Sequence, residues 1–175
     1  MICLDRTILG IRPKLFLAND GNYREMRYIT PGYTDPSTPG FGDLESITLP
    51  AVVQQATVAG QLTTVIGTFA VECLDTVVGF ETCEELFTPN SPHINMSLDG
   101  VEIIANGSGS HHQLRKLDTR IDLVGGATAK CGGVYMYANQ KGCDGGRLYF
   151  DGCSMIWHNG DLVAQGSQFV RIRRG

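Results

Sequence analysis

Runs of β-branched and aromatic residues, broken by short polar turns, dominate the chain. Residues 2–14, ICLDRTILGIRPK, read as two short strands around Asp5-Arg6, with Pro13 near the end of the second. Residues 63–73 (TTVIGTFAVEC) and 75–83 (DTVVGFETC) are two more such runs joined by a short acidic turn, which predicts a hairpin ending at Cys83. GVEIIANGSGS (100–110) predicts a buried strand followed by a tight Gly/Ser turn, and GVYMYANQ (133–140) predicts another strand. Three β runs follow between 146 and 167, and Asn159-Gly160 is a strong hairpin signal between two of them. The period changes once. Leu114, Leu117, Ile121, Val124 and Thr128 recur at spacings of three and four, which predicts a helix from about His112 to Lys130, with Gly125 and Gly126 weakening its last turns. Residues 31–46 carry three of the seven prolines and several glycines and read as a surface loop. Strands mixed with one good helix, and no repeat, place the chain in a layered α/β (α+β) class with substantial antiparallel pairing.

Composition narrows the functional classes. At 175 residues the chain suffices for one compact domain. A net charge of −4 argues against a nucleic-acid footprint; the only basic cluster, Arg171 to Arg174, reads as a solvated tail. No apolar stretch reaches membrane-spanning length and Met1 opens no signal-peptide pattern, so the expectation is a cytoplasmic protein without membrane contact. The six cysteines, at 3, 73, 83, 131, 143 and 153, form no CxxC pair, which predicts mostly small buried thiols rather than a zinc site. Adjacent His111 and His112 point to different faces of any regular element and do not form a metal pair.

Cys83 raises a chemical question. It ends an apolar strand and begins a polar turn, a position that exposes a side chain at a sheet edge, yet Glu84 and Glu85 follow it and oppose formation of the reactive thiolate. It is either a reactive thiol in need of an activating cation or one more packing residue. Lys14, between Arg12-Pro13 and Leu15-Phe16-Leu17, either snorkels to the surface or is held beside a charge partner. NGSGSHH (106–112) offers amides and hydroxyls at a strand-to-helix junction but lacks dinucleotide-loop spacing, and KGCDGG (141–146) reads as a Gly-rich turn.

Four segments together carry a resemblance: IRPKLFLANDGNYREMRY (11–28), CEELFTPNSPH (83–93), DGVEIIANGSGSHH (99–112) and YANQKGCDGGRLYFDGCSMI (137–156). They resemble the glutaminase domain of eukaryotic glutamine-dependent NAD synthetases, in the nitrilase superfamily of carbon-nitrogen hydrolases. The likeness covers roughly residues 2–30 and 67–169, so the expected domain is 1–169 with an unmatched basic tail at 170–175. It implies a nitrilase-like α-β-β-α sandwich and a Glu-Lys-Cys triad, with Cys83 as nucleophile and Lys14 as the cation that answers the question posed by Glu84 and Glu85. It further implies that Cys83 attacks the side-chain amide of L-glutamine, with the oxyanion met by Lys14 and the backbone N–H of Glu84. Ammonia would leave from a thioester that water then hydrolyses. Tyr23, Glu84, Phe87 and Ser110 fall on substrate-pocket positions, and Glu25 on an accessory carboxylate beside the lysine. The triad glutamate is expected well before the lysine; with thirteen residues ahead of Lys14, the expectation is a sandwich incomplete at its N-terminus.

The resemblance implies no cofactor and no metal for the glutaminase step. ATP and magnesium would serve a C-terminal synthetase domain that receives the ammonia, and the intact protein is expected to be a homo-oligomer. Two other readings stand beside it. One is a catalytically dead truncated fragment acting at most as a binding or oligomer-interaction piece. The other is a different nitrilase-type amidase, against which NQKGCDGGRLYFDGC argues.

Overall fold

Asp5 and Arg6 both take positive φ, 46° and 62°, and turn strand β1 (Ile2–Leu4) back onto β2 (Thr7–Gly10) as an antiparallel hairpin. The computed structural model describes residues 1–32 and 44–169, so most of the predicted 31–46 loop and the 170–175 tail lie outside the described residues. The chain packs as two units, Met1–Phe69 and Ala70–Gly175.

In the first unit, β3 (Leu44–Thr48) pairs antiparallel with β4 (Thr63–Gly67), and α1 (Ala51–Ala56) lies between them in sequence. Ile11 joins this ribbon: its N–H donates to Val65 O and its carbonyl accepts from Gly67 N–H. Ile8, Leu15, Ala18 and Leu49 are buried. The hairpin expected between 63–73 and 75–83 therefore forms only at its turn end, where Cys73 N–H donates to Thr76 O. β4 finds a full-length partner in β3, whereas β5 (Val71–Glu72) meets β6 (Val77–Thr82) over two residue pairs only.

The second unit is built on a six-stranded mixed sheet in the order β12-β11-β8-β7-β6-β5. The strands are β7 (Ile103–Ser108), β8 (Val134–Asn139), β11 (Met155–His158) and β12 (Asp161–Gln165), besides β5 and β6. β6, β7 and β8 run parallel, and both flanks are antiparallel. Asn159-Gly160 makes the tight β11–β12 turn with both residues at positive φ. β9 (Lys141–Cys143) and β10 (Tyr149–Asp151) form a separate ribbon out of the predicted Gly-rich turn, in which Asp144 Oδ1 accepts from the N–H groups of Gly146 and Leu148.

Helices α2 (Pro92–Leu98) and α3 (Lys116–Cys131) pack on one sheet face. Strand alternation sends Gly79 and Glu81, Ile104, Asn106 and Ser108, Tyr135 and Tyr137, and Met155 and Trp157 into the buried layer. Close approach dictates two glycines. A Cβ on Gly79 would lie 2.6 Å from Met96 Sδ of α2, and one on Gly125 would lie 2.9 Å from the Trp157 ring. Gly125 thus seats the later turns of α3 on β11.

α3 begins at Lys116, four residues later than its apolar stripe predicts. His112 N–H donates to Tyr149 O, Arg115 sits at φ 65°, and Leu114 is 91% exposed. The residue that takes the buried face in its place is a charged one, Arg120, 0% exposed. The cysteines also depart from expectation. Cys3, Cys73, Cys131 and Cys143 are exposed, Cys83 is half-buried and only Cys153 is buried: Cys3 lies mid-strand in the two-stranded β1–β2 hairpin, Cys73 in a turn, and Cys131 and Cys143 end α3 and β9.

Candidate active site

β6 ends at Thr82, and Cys83 takes φ 47° as the chain enters a single 3-10 turn, Cys83–Phe87. A left-handed backbone on a residue with a Cβ costs on the order of 1–3 kcal/mol and persists only when its surroundings determine it. Here they do. Thr82 and Glu85 form a reciprocal capping box, in which the Thr82 side chain accepts from the Glu85 N–H and Glu85 Oε2 accepts from Thr82 N–H at 2.7 Å. Cys83 N–H donates to Asn106 Oδ1 at 3.0 Å. The thiol is thus presented at a sharp strand-to-helix elbow, at the carboxyl end of a parallel strand, where open α/β sheets place their sites. Glu84 follows directly, half-buried, and Phe87 closes the turn with Lys116 Nζ 5.9 Å from its ring centroid.

A buried polar layer lies under the elbow. Glu81 Oε1 accepts from the backbone N–H of His93 and pairs with His93 Nδ1 at 2.9 Å, while Oε2 accepts from the Tyr135 hydroxyl at 2.5 Å. Asn106 Nδ2 donates to that hydroxyl at 2.9 Å, and Ser108 Oγ donates to Asn106 Oδ1 at 3.0 Å. Burial pushes the Glu81 carboxyl up, but the hydrogen bond and charge of His93, with the Tyr135 bond, outweigh it and bring it below its ordinary value. Burial, reinforced by the Glu81 charge, raises the Tyr135 hydroxyl well above its own, so it stays a donor to Glu81.

A second buried cluster surrounds Asp151. Its Oδ2 accepts from Arg120 Nη2 at 2.7 Å and Gln168 Nε2 at 3.0 Å, and lies 3.3 Å from His112 Nδ1. Burial opposes ionisation, yet these donors and the Arg120 charge hold the carboxyl down at about 2. Arg120 Nε and Nη1, Asp151 Oδ1, Tyr137 Oη and Ser110 Oγ are buried and make no hydrogen bond among the described residues. Burial raises the Tyr137 hydroxyl above its ordinary value, Ser108, Arg120 and Ser110 oppose the rise, and the Cys83 sulfur adds to it.

The predicted site residues divide between the units. Lys14, Tyr23 and Glu25 belong to the first. Lys14 Nζ reaches both carboxylate oxygens of Glu25, at 2.9 and 2.7 Å, so of its two sequence readings the charge partner holds. Glu25 Oε2 also accepts from Ala18 N–H at 2.6 Å, which fixes the carboxylate at the start of a one-turn 3-10 helix, Glu25–Arg27. Tyr23 is half-buried, and its N–H donates to Asp20 Oδ1 in an Asx turn.

Cys83, Glu84, Phe87 and Ser110 belong to the second unit. Ser110 is 2% exposed, and Asn139 takes its backbone: Ser110 N–H donates to Asn139 Oδ1, and Asn139 Nδ2 donates to Ser110 O. The 106–112 segment is therefore engaged in strand pairing and Asn139 contacts instead of forming an anion-binding helix entrance. Among the described residues no three His, Cys, Asp or Glu side chains converge as metal ligands, and no helix is long and apolar enough to cross a membrane.

Sequence reasoning missed Glu81, His93, Asn106, Tyr135, Arg120 and Asp151. For Glu81 a signal existed: alternation from buried Gly79 places a carboxylate inward two residues before the cysteine.

The carbon-nitrogen hydrolase family model matches residues 4–172. The glutamine-dependent NAD(+) synthetase of Saccharomyces cerevisiae is 59% identical over 169 residues, covering 97% of this chain and 22% of that protein. The human protein of the same name is 55% identical over 169 residues, covering 97% and 23%. Among solved structures, a glutamine-dependent NAD(+) synthetase from Cytophaga hutchinsonii superposes with a TM-score of 0.66 at 26% identity, covering 90% of this chain and 22% of that one. The chain thus spans under a quarter of the length of these relatives.

Proposed function

The chain belongs to the carbon-nitrogen hydrolase family, and from that premise we propose that it carries the glutamine-splitting chemistry of glutamine-dependent NAD(+) synthetases. The Cys83 thiolate attacks the side-chain carbonyl carbon of L-glutamine. The developing oxyanion is met by the backbone N–H of Glu84, a donor fixed by the elbow. The C–N bond then breaks, the nitrogen takes up a proton and leaves as ammonia, and a glutamyl thioester remains on Cys83. Water adds to the thioester, releasing glutamate and the free thiol.

Glu84, Phe87 and Ser110 provide the substrate contacts in this reading, and Tyr23 is assigned a further one. Within the first unit, Lys14 has the cationic role, oriented by Glu25. The step uses no cofactor. The ammonia is passed to a synthetase activity that consumes ATP with magnesium, in the portion of the relatives beyond the 22% matched here, and the working protein is a homo-oligomer in the cytoplasm.

The observation that carries the reading is the Cys83 elbow, a strained half-buried thiol held at the carboxyl end of β6. A quenched incubation with L-glutamine, read by intact mass, is the test. A glutamyl adduct on Cys83, absent from Cys83→Ala and not formed from L-asparagine, is expected. An adduct on another cysteine, or preferential acylation by simple aliphatic amides, overturns the assignment.

A further inference from the structure

The buried layer under the elbow has a direction. Glu81 is an acceptor when ionised, and His93 saturates Oε1 with two contacts, leaving Oε2 for Tyr135. The Tyr135 hydroxyl has one proton, and it goes to Glu81. Its oxygen can then only accept from Asn106, so the Asn106 amide must turn its NH2 to Tyr135 and its Oδ1 to Cys83 N–H. The opposite amide orientation would set NH2 against N–H at the elbow, two donors face to face in a dry site. All four side chains are buried: Glu81 at 2%, His93 at 8%, Asn106 at 1% and Tyr135 at 1% exposure. Water therefore has little access to repair a reversed bond.

We propose that Glu81, Tyr135 and Asn106 form a one-way hydrogen-bond chain that sets the Cys83 elbow, which makes Asn106 a positioning residue for the reacting thiol. The proposal deepens the functional reading and rests on Cys83 being that thiol. The chain acts on the backbone of Cys83, and so on the direction in which the Glu84 N–H points, without itself touching substrate.

Two conservative substitutions test the direction. Glu81→Gln keeps an acceptor for His93 but offers Tyr135 an NH2, so the hydroxyl turns its proton toward Asn106. Asn106→Asp keeps an acceptor for Cys83 N–H but opposes a carboxylate oxygen to the Tyr135 lone pair. Each single variant breaks the chain. The double variant rebuilds it in reverse: the introduced amide at position 81 donates to the Tyr135 oxygen, and the Tyr135 hydroxyl donates to the introduced carboxylate at position 106.

Hydrogen exchange at the Cys83 amide of the full chain is one readout, with the amide of Val124, buried in α3, as the control for global unfolding. Peptide-resolved alkylation of Cys83, with exposed Cys3 as internal standard, is the other. Each single variant is expected to lose Cys83 amide protection roughly tenfold, with Val124 unchanged, and to change the Cys83 alkylation ratio; the double variant restores both. Tyr135→Phe, which removes the relay without altering charge, gives the same local loss if a charged variant fails to fold. Unchanged protection in Glu81→Gln, or a double variant no better than the worse single, overturns the directional chain. Restored protection without a restored alkylation ratio overturns the positioning role. A parent Cys83 that no electrophilic glutamine analogue labels overturns the functional reading instead, whatever the variants show.

Discussion

Glu81 and Asp151 are two carboxylates buried to the same degree in one sheet unit, 2% and 0% exposed, and held by opposite means. Glu81 is met by donors from His93 and Tyr135, with both oxygens engaged. Asp151 is met by a fully buried guanidinium, and Asp151 Oδ1 and two Arg120 nitrogens make no hydrogen bond among the described residues. The first arrangement passes bond direction from residue to residue and ends on a backbone N–H. The second is dominated by charge, and a guanidinium, which only donates, relays no direction. The Glu81 cluster is thus suited to setting geometry, and the Asp151 cluster to fixing the β10 ribbon against α3.

If that contrast is right, the largest effect belongs to the ion pair. Arg120→Met leaves Asp151 buried without its main counter-charge and is expected to cost about 3–5 kcal/mol in urea unfolding. A cost below about 1 kcal/mol, within the range of exposed pairs, would mean that the pair is hydrated after all.

Acid sensitivity is the next largest effect. Asp151 is held at about 2 against an ordinary 3.8, so the stability it contributes is fully present above the ordinary value. That stability is lost as pH falls from about 4 to about 2, with an amplitude of about 2 kcal/mol. Asp151→Asn should flatten acid unfolding over that interval. Glu81 is also lowered, so its contribution has the same sign, and Glu81→Gln should flatten the curve further.

Tyr135→Phe removes one hydrogen bond from each of two buried partners and is expected to cost roughly 1–3 kcal/mol, concentrated at β6–β8 in hydrogen exchange. A loss spread evenly over the unit would erase the contrast between a directional and a charge-based cluster. Smallest is Glu25→Gln in the first unit. Lys14 and Glu25 retain 14% and 26% side-chain exposure, so the pair contributes about 1 kcal/mol or less, and raising the salt concentration should shrink it further.

Much of this was legible from residue order. The Asp5-Arg6 and Asn159-Gly160 turns, the β7 and β8 strands and the Cys83 strand end follow from local alternation and turn chemistry, which need no tertiary context. The pairing of β4 was not legible, because the choice between Leu44–Thr48 and Val77–Thr82 is made by non-local contact. The start of α3 was misplaced because the apolar spacing at Leu114 says nothing of the Arg115 backbone. Among the candidate residues, Cys83 and Lys14 stood out by chemistry. Glu81, Asn106 and Arg120 did not, since a buried polar residue is recognisable only once the partner that satisfies it is known. Asn106 in particular sits in a Gly/Ser-rich segment that reads as a turn but forms the end of a central strand.

The central claim, that Cys83 is the reacting thiol, is tested most directly by treating the full chain with an electrophilic glutamine analogue and mapping the adduct by peptide mass. The account predicts a single adduct at Cys83, formed faster than at exposed Cys3, Cys73, Cys131 or Cys143 and slowed by excess L-glutamine. Labelling that favours Cys143 or Cys153, or a Cys83 adduct that L-glutamine does not slow, would contradict it.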